Sequence, residues 1–372
     1  MFRYISKFTL LLSISLSFSV AGQIANQTGN PNQEKKNTLK SIELGNIKCD
    51  SARVHFKNKD IKGANKLYGA AIKDYKKAAK ENPESYISHY RMGIAQTRIK
   101  NYKAAIVSFT KAFELDSTRW EIMRERGIAK AGLGRPEEAL QDYNKAIDIN
   151  YDDADSFYQR GMIQESGKKT QQALEDYSRV IELKPNYEDA YLRRGIIYYN
   201  VKKDYILALN DLNKVLELNP ENAEAYLWRG KTKFKGEDYK GADIDLSHYI
   251  DMEPQNIETL LTRGASRINI NNNSGAIEDF DEVIKQDPTN FIAYMNRGTA
   301  KGGLKKYKDA LQDLDMAIKL KFDYSPAYIN RAAIKFASGD KKGACKDLAK
   351  ADGLNNEKAY YLIQQYCQEG NR

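Results

Sequence analysis

Between residues 86 and 355 the apolar residues recur at helical spacing in runs of about thirteen, each closed by a short polar break. The breaks read Lys-Lys, Gly-Glu-Asp or Leu-Gly-Arg-Pro, and two runs make one unit. The unit length is nearly constant. Gly93, Gly127, Gly161, Gly195, Gly230, Gly264 and Gly298 are spaced 34, 34, 34, 35, 34 and 34 residues apart, and Ala332 follows 34 later. Twelve residues after each anchor, thirteen across the longer spacing, stands Ala105, Ala139, Ala173, Ala208, Ala242, Ala276, Ala310 or Ala344. Four further on comes Phe109, Tyr143, Tyr177, Leu212, Leu246, Phe280, Leu314 or Leu348. Pro185, Pro220, Pro254 and Pro288 close four of the units.

This pattern predicts pairs of amphipathic helices. Glycine inside a helix is unfavourable by propensity, so its recurrence at one position implies two helix axes too close for a larger side chain. One hairpin cannot bury both apolar faces alone, so neighbours must stack. The period, the aromatic residues Phe157, Tyr191, Tyr226, Tyr294 and Tyr328 four before the anchor, the anchor glycine, the alanine, the bulky residue and the closing proline together resemble the tetratricopeptide repeat family. The resemblance covers residues 86–355 and implies an all-α, right-handed α-solenoid. About nine hairpins are expected, with a helix over 356–372 capping the last one. A further unit is visible upstream, where Ala71, Tyr75, Ala78 and Pro83 fall in register but Lys59 occupies the glycine position. Residues 41–85 are therefore read as an atypical amino-terminal repeat with a lengthened second helix.

An Arg precedes seven of the anchors: Arg126, Arg160, Arg194, Arg229, Arg263, Arg297 and Arg331. Sixteen residues after each, seventeen across the longer unit, stand Asp142, Asp176, Asp211, Asp245, Asp279, Asp313 and Asp347. In an antiparallel hairpin these positions lie at similar heights. A ladder of ion pairs fixing hairpin stacking follows, with each Asp also in reach of the next unit's first helix. Cys345 and Cys367 flank a turn near Asn356 and could be bridged; two free thiols remain the alternative, and Cys49 is left over. His55, His89 and His248 are isolated, without a second ligand at metal spacing, and no cofactor or metal is expected.

The first residues differ from the rest. Arg3 and Lys7 precede an uncharged apolar stretch ending in Ser19, Ala21 and Gly22. Residues 1–22 therefore read as a secretory signal peptide and 23–40 as a flexible polar leader. The stretch is short for a membrane span, so no transmembrane segment is expected after cleavage, and the protein is placed outside the cytoplasm, in a periplasm or secreted. The chain carries 59 Lys and Arg against 50 Asp and Glu, spread through every segment, which argues against a nucleic-acid interface.

Carboxylates recur with the repeat rather than converge, so no catalytic constellation is expected, and Tyr226, Trp228 and His248 are assigned to stacking. The resemblance implies a groove lined by first-helix positions three before, one after and four after the anchor. These are Tyr90, Ile94, Tyr158, Met162, Leu192, Ile196, Tyr199, Leu227, Phe234, Leu261, Ile268 and Met295, with Arg98, Arg124 and Lys231 as scattered charges. Tyr90 and Ile94 stand where relatives that grip a carboxyl terminus use Lys and Asn, so that mode is not implied. The expectation is a non-enzymatic scaffold or adaptor binding a partner protein or peptide. The alternative is an accessory subunit of a cell-envelope assembly or peptidoglycan and outer-membrane processing machine.

Overall fold

The computed structural model describes residues 33–254 and 256–367. The expected signal peptide and most of the polar leader lie outside the described residues. Every regular element among the described residues is helical. The chain divides into two compact units, one ending at Lys184 and the other beginning at Pro185.

The first unit holds four hairpins: α1 (Gln33–Lys57) with α2 (Ile61–Glu81), α3 (Tyr86–Arg98) with α4 (Tyr102–Leu115), α5 (Trp120–Gly132) with α6 (Pro136–Ile149), and α7 (Ala154–Ser166) with α8 (Thr170–Leu183). Short polar side chains start several helices: Asp60 accepts from Gly63 N, Asn101 from Ala104 N and Asp153 from Ser156 N. Within the unit consecutive hairpins stack, burying Ala105, Phe109, Ala112, Ile122 and Ala129 in one continuous cluster.

The second unit holds five hairpins: α9 (Glu188–Ile197) with α10 (Tyr205–Leu218), α11 (Ala223–Lys235) with α12 (Tyr239–Met252), α13 (Ile257–Asn269) with α14 (Asn273–Gln286), α15 (Phe291–Gly303) with α16 (Tyr307–Leu320), and α17 (Ser325–Ala337) with α18 (Lys341–Asp352). A last helix, α19 (Glu357–Tyr366), lies on α18, and Cys345 is bonded to Cys367 with Cα atoms 5.7 Å apart. The extra residue of the 35-residue spacing is absorbed by one π-helical turn, Tyr198–Lys202, that continues α9. Each of the nine turns between paired helices, and the turn leading into α19, places one residue in the left-handed region. Glycine does this at Gly134 and Gly339, but Lys59, Lys100, Lys168, Lys203, Glu237, Asn271, Lys305 and Asn355 do so with side chains, at φ of 56–64°.

The anchor glycines are steric necessities. A Cβ on Gly264 would lie 2.6 Å from Phe280, and one on Gly93 would lie 2.6 Å from Phe109. Where leucine replaces the aromatic the clearance is only slightly wider: a Cβ on Gly230, Gly298 or Gly195 would meet the facing leucine at 2.8, 2.9 or 3.2 Å, and the last hairpin carries Ala332 beside Leu348. Gly264→Ala is therefore expected to lower stability, because overpacking costs about 1–3 kcal/mol against a propensity gain of about 1 kcal/mol. Adding Phe280→Leu is expected to return part of the loss. Urea midpoints of the single and double variants check this; a double variant no more stable than the single refutes it.

The first hairpin corrects the fixed-period reading twice. Residues 33–40, expected as leader, are the first turns of α1, and both helices are lengthened, to 25 and 21 residues. Lys59 consequently sits in the turn at φ 60°, not at the close approach. Gly45 takes the anchor role, since a Cβ there would lie 2.5 Å from the buried Tyr75 ring, whose hydroxyl donates to Asn46 Oδ1 at 2.9 Å. Extending a hairpin symmetrically shifts its two halves in opposite directions along the sequence, so a constant period cannot find it.

Candidate functional site

The Arg–Asp pairs are internal to each hairpin and nearly sealed. The seven Asp side chains are 1–7% exposed. Arg160 donates through Nε and Nη2 to the two oxygens of Asp176 at 2.9 and 2.7 Å, and Arg126, Arg194, Arg229, Arg297 and Arg331 make the same fork. Arg263 holds Asp279 with Nη2 at 2.5 Å. The remaining guanidinium nitrogen reaches backward by sixteen residues to the preceding hairpin: Arg160 to Asn144 at 2.8 Å, Arg229 to Asn213 at 2.9 Å, Arg263 to Ser247 at 3.1 Å, Arg297 to Asp281 at 2.6 Å and Arg331 to Asp315 at 2.6 Å. The link between hairpins is thus made by the Arg reaching back, not by the Asp reaching forward. Arg160, Arg229, Arg297 and Arg331 also lie over the aromatic three residues earlier.

A second cation braces most rungs. Lys130, Lys233, Lys301 and Lys335, four after the Arg, lie 2.7–2.8 Å from the same carboxylates. Gln164 and Tyr198 hold that position in the Arg160 and Arg194 hairpins, and Gln164 Oε1 is buried without a partner. Burial pushes the Asp176 and Asp211 carboxyls above the ordinary range, against the pull of their single Arg. Asp279 is raised in the same way despite Arg267 at 3.1 Å. A carboxylate so enclosed offers nothing to a ligand.

The first helices of the first unit present a charged surface. Arg124 lies over the Trp120 ring, donates to Asp153 at 2.9 Å and approaches Glu125 at 3.4 Å. Burial raises the Glu125 carboxyl against Arg124 and Arg98, and it pushes the nearby Tyr90 hydroxyl up to about 12. Tyr90 and Ile94 pack against the core with one face, and Met162 is exposed.

In the second unit the first helices carry an aromatic platform. The Tyr199 ring, in the π turn, stands 5.4 Å from Trp228 and 5.8 Å from Tyr205. Lys231 is itself buried, lies 4.9 Å over Trp228, and pairs at 2.7 Å with Glu258, whose side chain is 74% exposed. Phe234 meets Tyr239 edge-on at 5.6 Å, and Leu227, Leu261, Ile268 and Ile196 are half-buried, the last three against the core.

Burial corrects three of the groove assignments. Tyr158, Leu192 and Met295 are 9%, 6% and 8% exposed, whereas Tyr90, Leu227 and Leu261, at the same place in the repeat, are half-buried. Trp228, assigned to stacking alone, keeps part of its ring open beside Lys231. The longer spacing between Gly195 and Gly230 was the signal, since it inserts the turn that brings Tyr199 to Trp228. His248 is exposed and stacks on Tyr226 at 4.8 Å, His55 faces Asp60, and the half-buried His89 is held towards its neutral form by burial. Cys49 is buried against Tyr75. No cluster of three or more His, Cys, Asp and Glu able to hold a metal occurs among the described residues. No described helix is long and apolar enough to cross a membrane.

Residues 50–118 and 125–153 match the family described as tetratricopeptide repeat, and residues 165–202 match one described as TPR repeat. No curated protein matches the chain. Among solved structures, PilF of Pseudomonas aeruginosa is 19% identical, covers 61% of this chain and 97% of its own, and superposes with a TM-score of 0.52, a likeness of fold. YrrB, a TPR protein described as having an unusual peptide-binding site, is 25% identical over 50% of this chain and 95% of its own, with a TM-score of 0.44. A tetratricopeptide repeat protein from Parabacteroides merdae is 18% identical over 76% of this chain and 99% of its own, with a TM-score of 0.39.

Proposed function

Because the chain is a tetratricopeptide repeat protein, we propose that it is an exported, non-enzymatic scaffold that holds a segment of a partner protein on the first helices of its second unit. The observation that carries this reading is the Tyr199–Trp228 pair with Lys231 over the Trp228 ring, and Phe234 follows three residues later on the same helix. Rigid aromatics offer large contact area at little entropic cost and are the usual anchors of an interface. Lys231 adds direction. Its partner Glu258 is held from one side only, so an acidic residue or chain terminus of the bound segment can take over the ammonium. A peptide with an apolar or aromatic residue close to a carboxylate fits this arrangement.

The test is selection from a random peptide library on the full chain, followed by affinity measurement with a Tyr199→Ala, Trp228→Ala double variant. Loss of an anchoring aromatic pair is expected to weaken binding by about 2 kcal/mol or more, roughly thirtyfold, with the melting temperature changed by only a few degrees. Peptides that bind the folded double variant as tightly as the wild type would sink the proposal. Export is read in the same preparation: the mature chain recovered from cells is expected to begin at Gly22 or Gln23, and a retained Met1 removes that part of the reading.

A further inference from the structure

Lys and Arg occur in every segment, but their excess does not. Residues 33–115, the first two hairpins, hold eighteen Lys and Arg against eight Asp and Glu, a net +10 in a chain whose total is +9. The rest of the chain is therefore close to neutral. The excess has a focus in the lengthened first hairpin, where every residue from Arg53 to Lys62 is exposed. Three of those ten are large and apolar: Val54, Phe56 and Ile61 are 57%, 58% and 47% exposed. Around them stand Lys57, Lys59, Lys62 and Lys66, none of which is in an ion pair among the described residues. The carboxylate at the end of the hairpin, Asp60, is already engaged, accepting from Gly63 N at 2.9 Å and facing His55 at 2.7 Å.

We propose that this tip docks on an anionic lipid surface, with Phe56, Val54 and Ile61 entering the headgroup layer and the four lysines meeting lipid phosphates. An ordinary lengthened hairpin would end in solvated polar residues, and that bland reading leaves three exposed apolar side chains at the extremity unexplained. A specific protein interface needs about 800 Å² from each partner, more than a protruding two-turn tip presents. A lipid interface needs only a few apolar side chains flanked by cations. Nucleic acid would engage the lysines but has no use for the apolar three. The other insertion in the array ends similarly, with Val201, Ile206 and Leu207 exposed beside Lys202 and Lys203.

The proposal is independent of the peptide-binding reading, and its test does not involve the platform. The full chain is sedimented with vesicles of phosphatidylglycerol mixed into phosphatidylcholine, and with phosphatidylcholine alone. Two variants accompany it: Lys57, Lys59, Lys62 and Lys66 all changed to Glu, and Val54, Phe56 and Ile61 all changed to Ser. Both sets are exposed, and circular dichroism verifies their folding. Binding by residues 1–32 is common to all three proteins, so the differences report the tip. Each lysine near an anionic surface contributes roughly fivefold, so the Glu variant is expected to lose at least about a hundredfold in affinity for the anionic vesicles. The Ser variant is expected to lose about tenfold or more, and the wild type to weaken with added salt. Equal binding of all three proteins to anionic vesicles overturns the proposal. So does retention of the wild type on polyglutamate or duplex DNA without preference for anionic vesicles, an outcome that would assign the tip to an acidic macromolecule.

Discussion

Arg160→Ala is expected to lower the stability of the protein by roughly 3–5 kcal/mol, because it leaves a buried carboxylate without any cation. Asp176 is 5% exposed and has no second brace, since Gln164 stands where other hairpins have Lys. Arg229→Ala should cost less, about 1–3 kcal/mol, since Lys233 remains 2.8 Å from Asp245. The pH dependence separates this mechanism from simple loss of packing. The Asp176 carboxyl is raised by burial even with Arg160 present, and removing the Arg raises it further. A carboxyl whose folded pKa lies above its unfolded one contributes stability at low pH and loses it as pH rises through the folded value. The deficit of Arg160→Ala should therefore be small near pH 4 and grow towards pH 7. Urea denaturation followed by circular dichroism at both pH values measures it. A deficit independent of pH, or equal for the two Arg variants, contradicts the assignment.

Changing Cys345 and Cys367 together to Ser is expected to release α19 by about 3 kcal/mol, the loop entropy of a 22-residue closure. The helix packs through one side only: Ala359 is buried and Leu362 and Ile363 are half-buried against the last hairpin, while Tyr360, Tyr361 and Tyr366 are exposed. The effect should stay local, because each hairpin of a stacked array touches only its neighbours. Hydrogen exchange is expected to quicken across 357–366 and around Tyr328 and Ala351, which pack with Ala359, and to be unchanged before residue 290. Reducing agent on the wild type should reproduce the pattern. Unaltered protection of α19 in the variant would mean that packing alone retains it.

The helical array was legible in the sequence because its period is enforced by contact. A glycine must face each bulky residue sixteen positions on, and a forked pair needs Arg and Asp at the same separation. The backward reach of each Arg follows the same arithmetic, yet its acceptors are Asn144, Asn213, Ser247, Asp281 and Asp315, too varied in type to stand out. The first hairpin escaped because Gly45 and Tyr75 are thirty residues apart instead of sixteen. Of the candidate groove, position in the repeat indicated which residues lie on the first helices. It could not indicate how far the neighbouring helix covers Tyr158, Leu192 and Met295, since that depends on side-chain volumes in two units at once.

The left-handed turn residues have a wider consequence. Eight connections hold that conformation with Lys, Glu or Asn where glycine would sit without strain, at a cost of about 1 kcal/mol for each Lys or Glu. The architecture could thus be made markedly more robust by exchanges that touch neither core nor platform. Such slack lets a lineage accept damaging changes on its recognition surfaces and later recover, so new specificities can be tried without losing the scaffold that presents them.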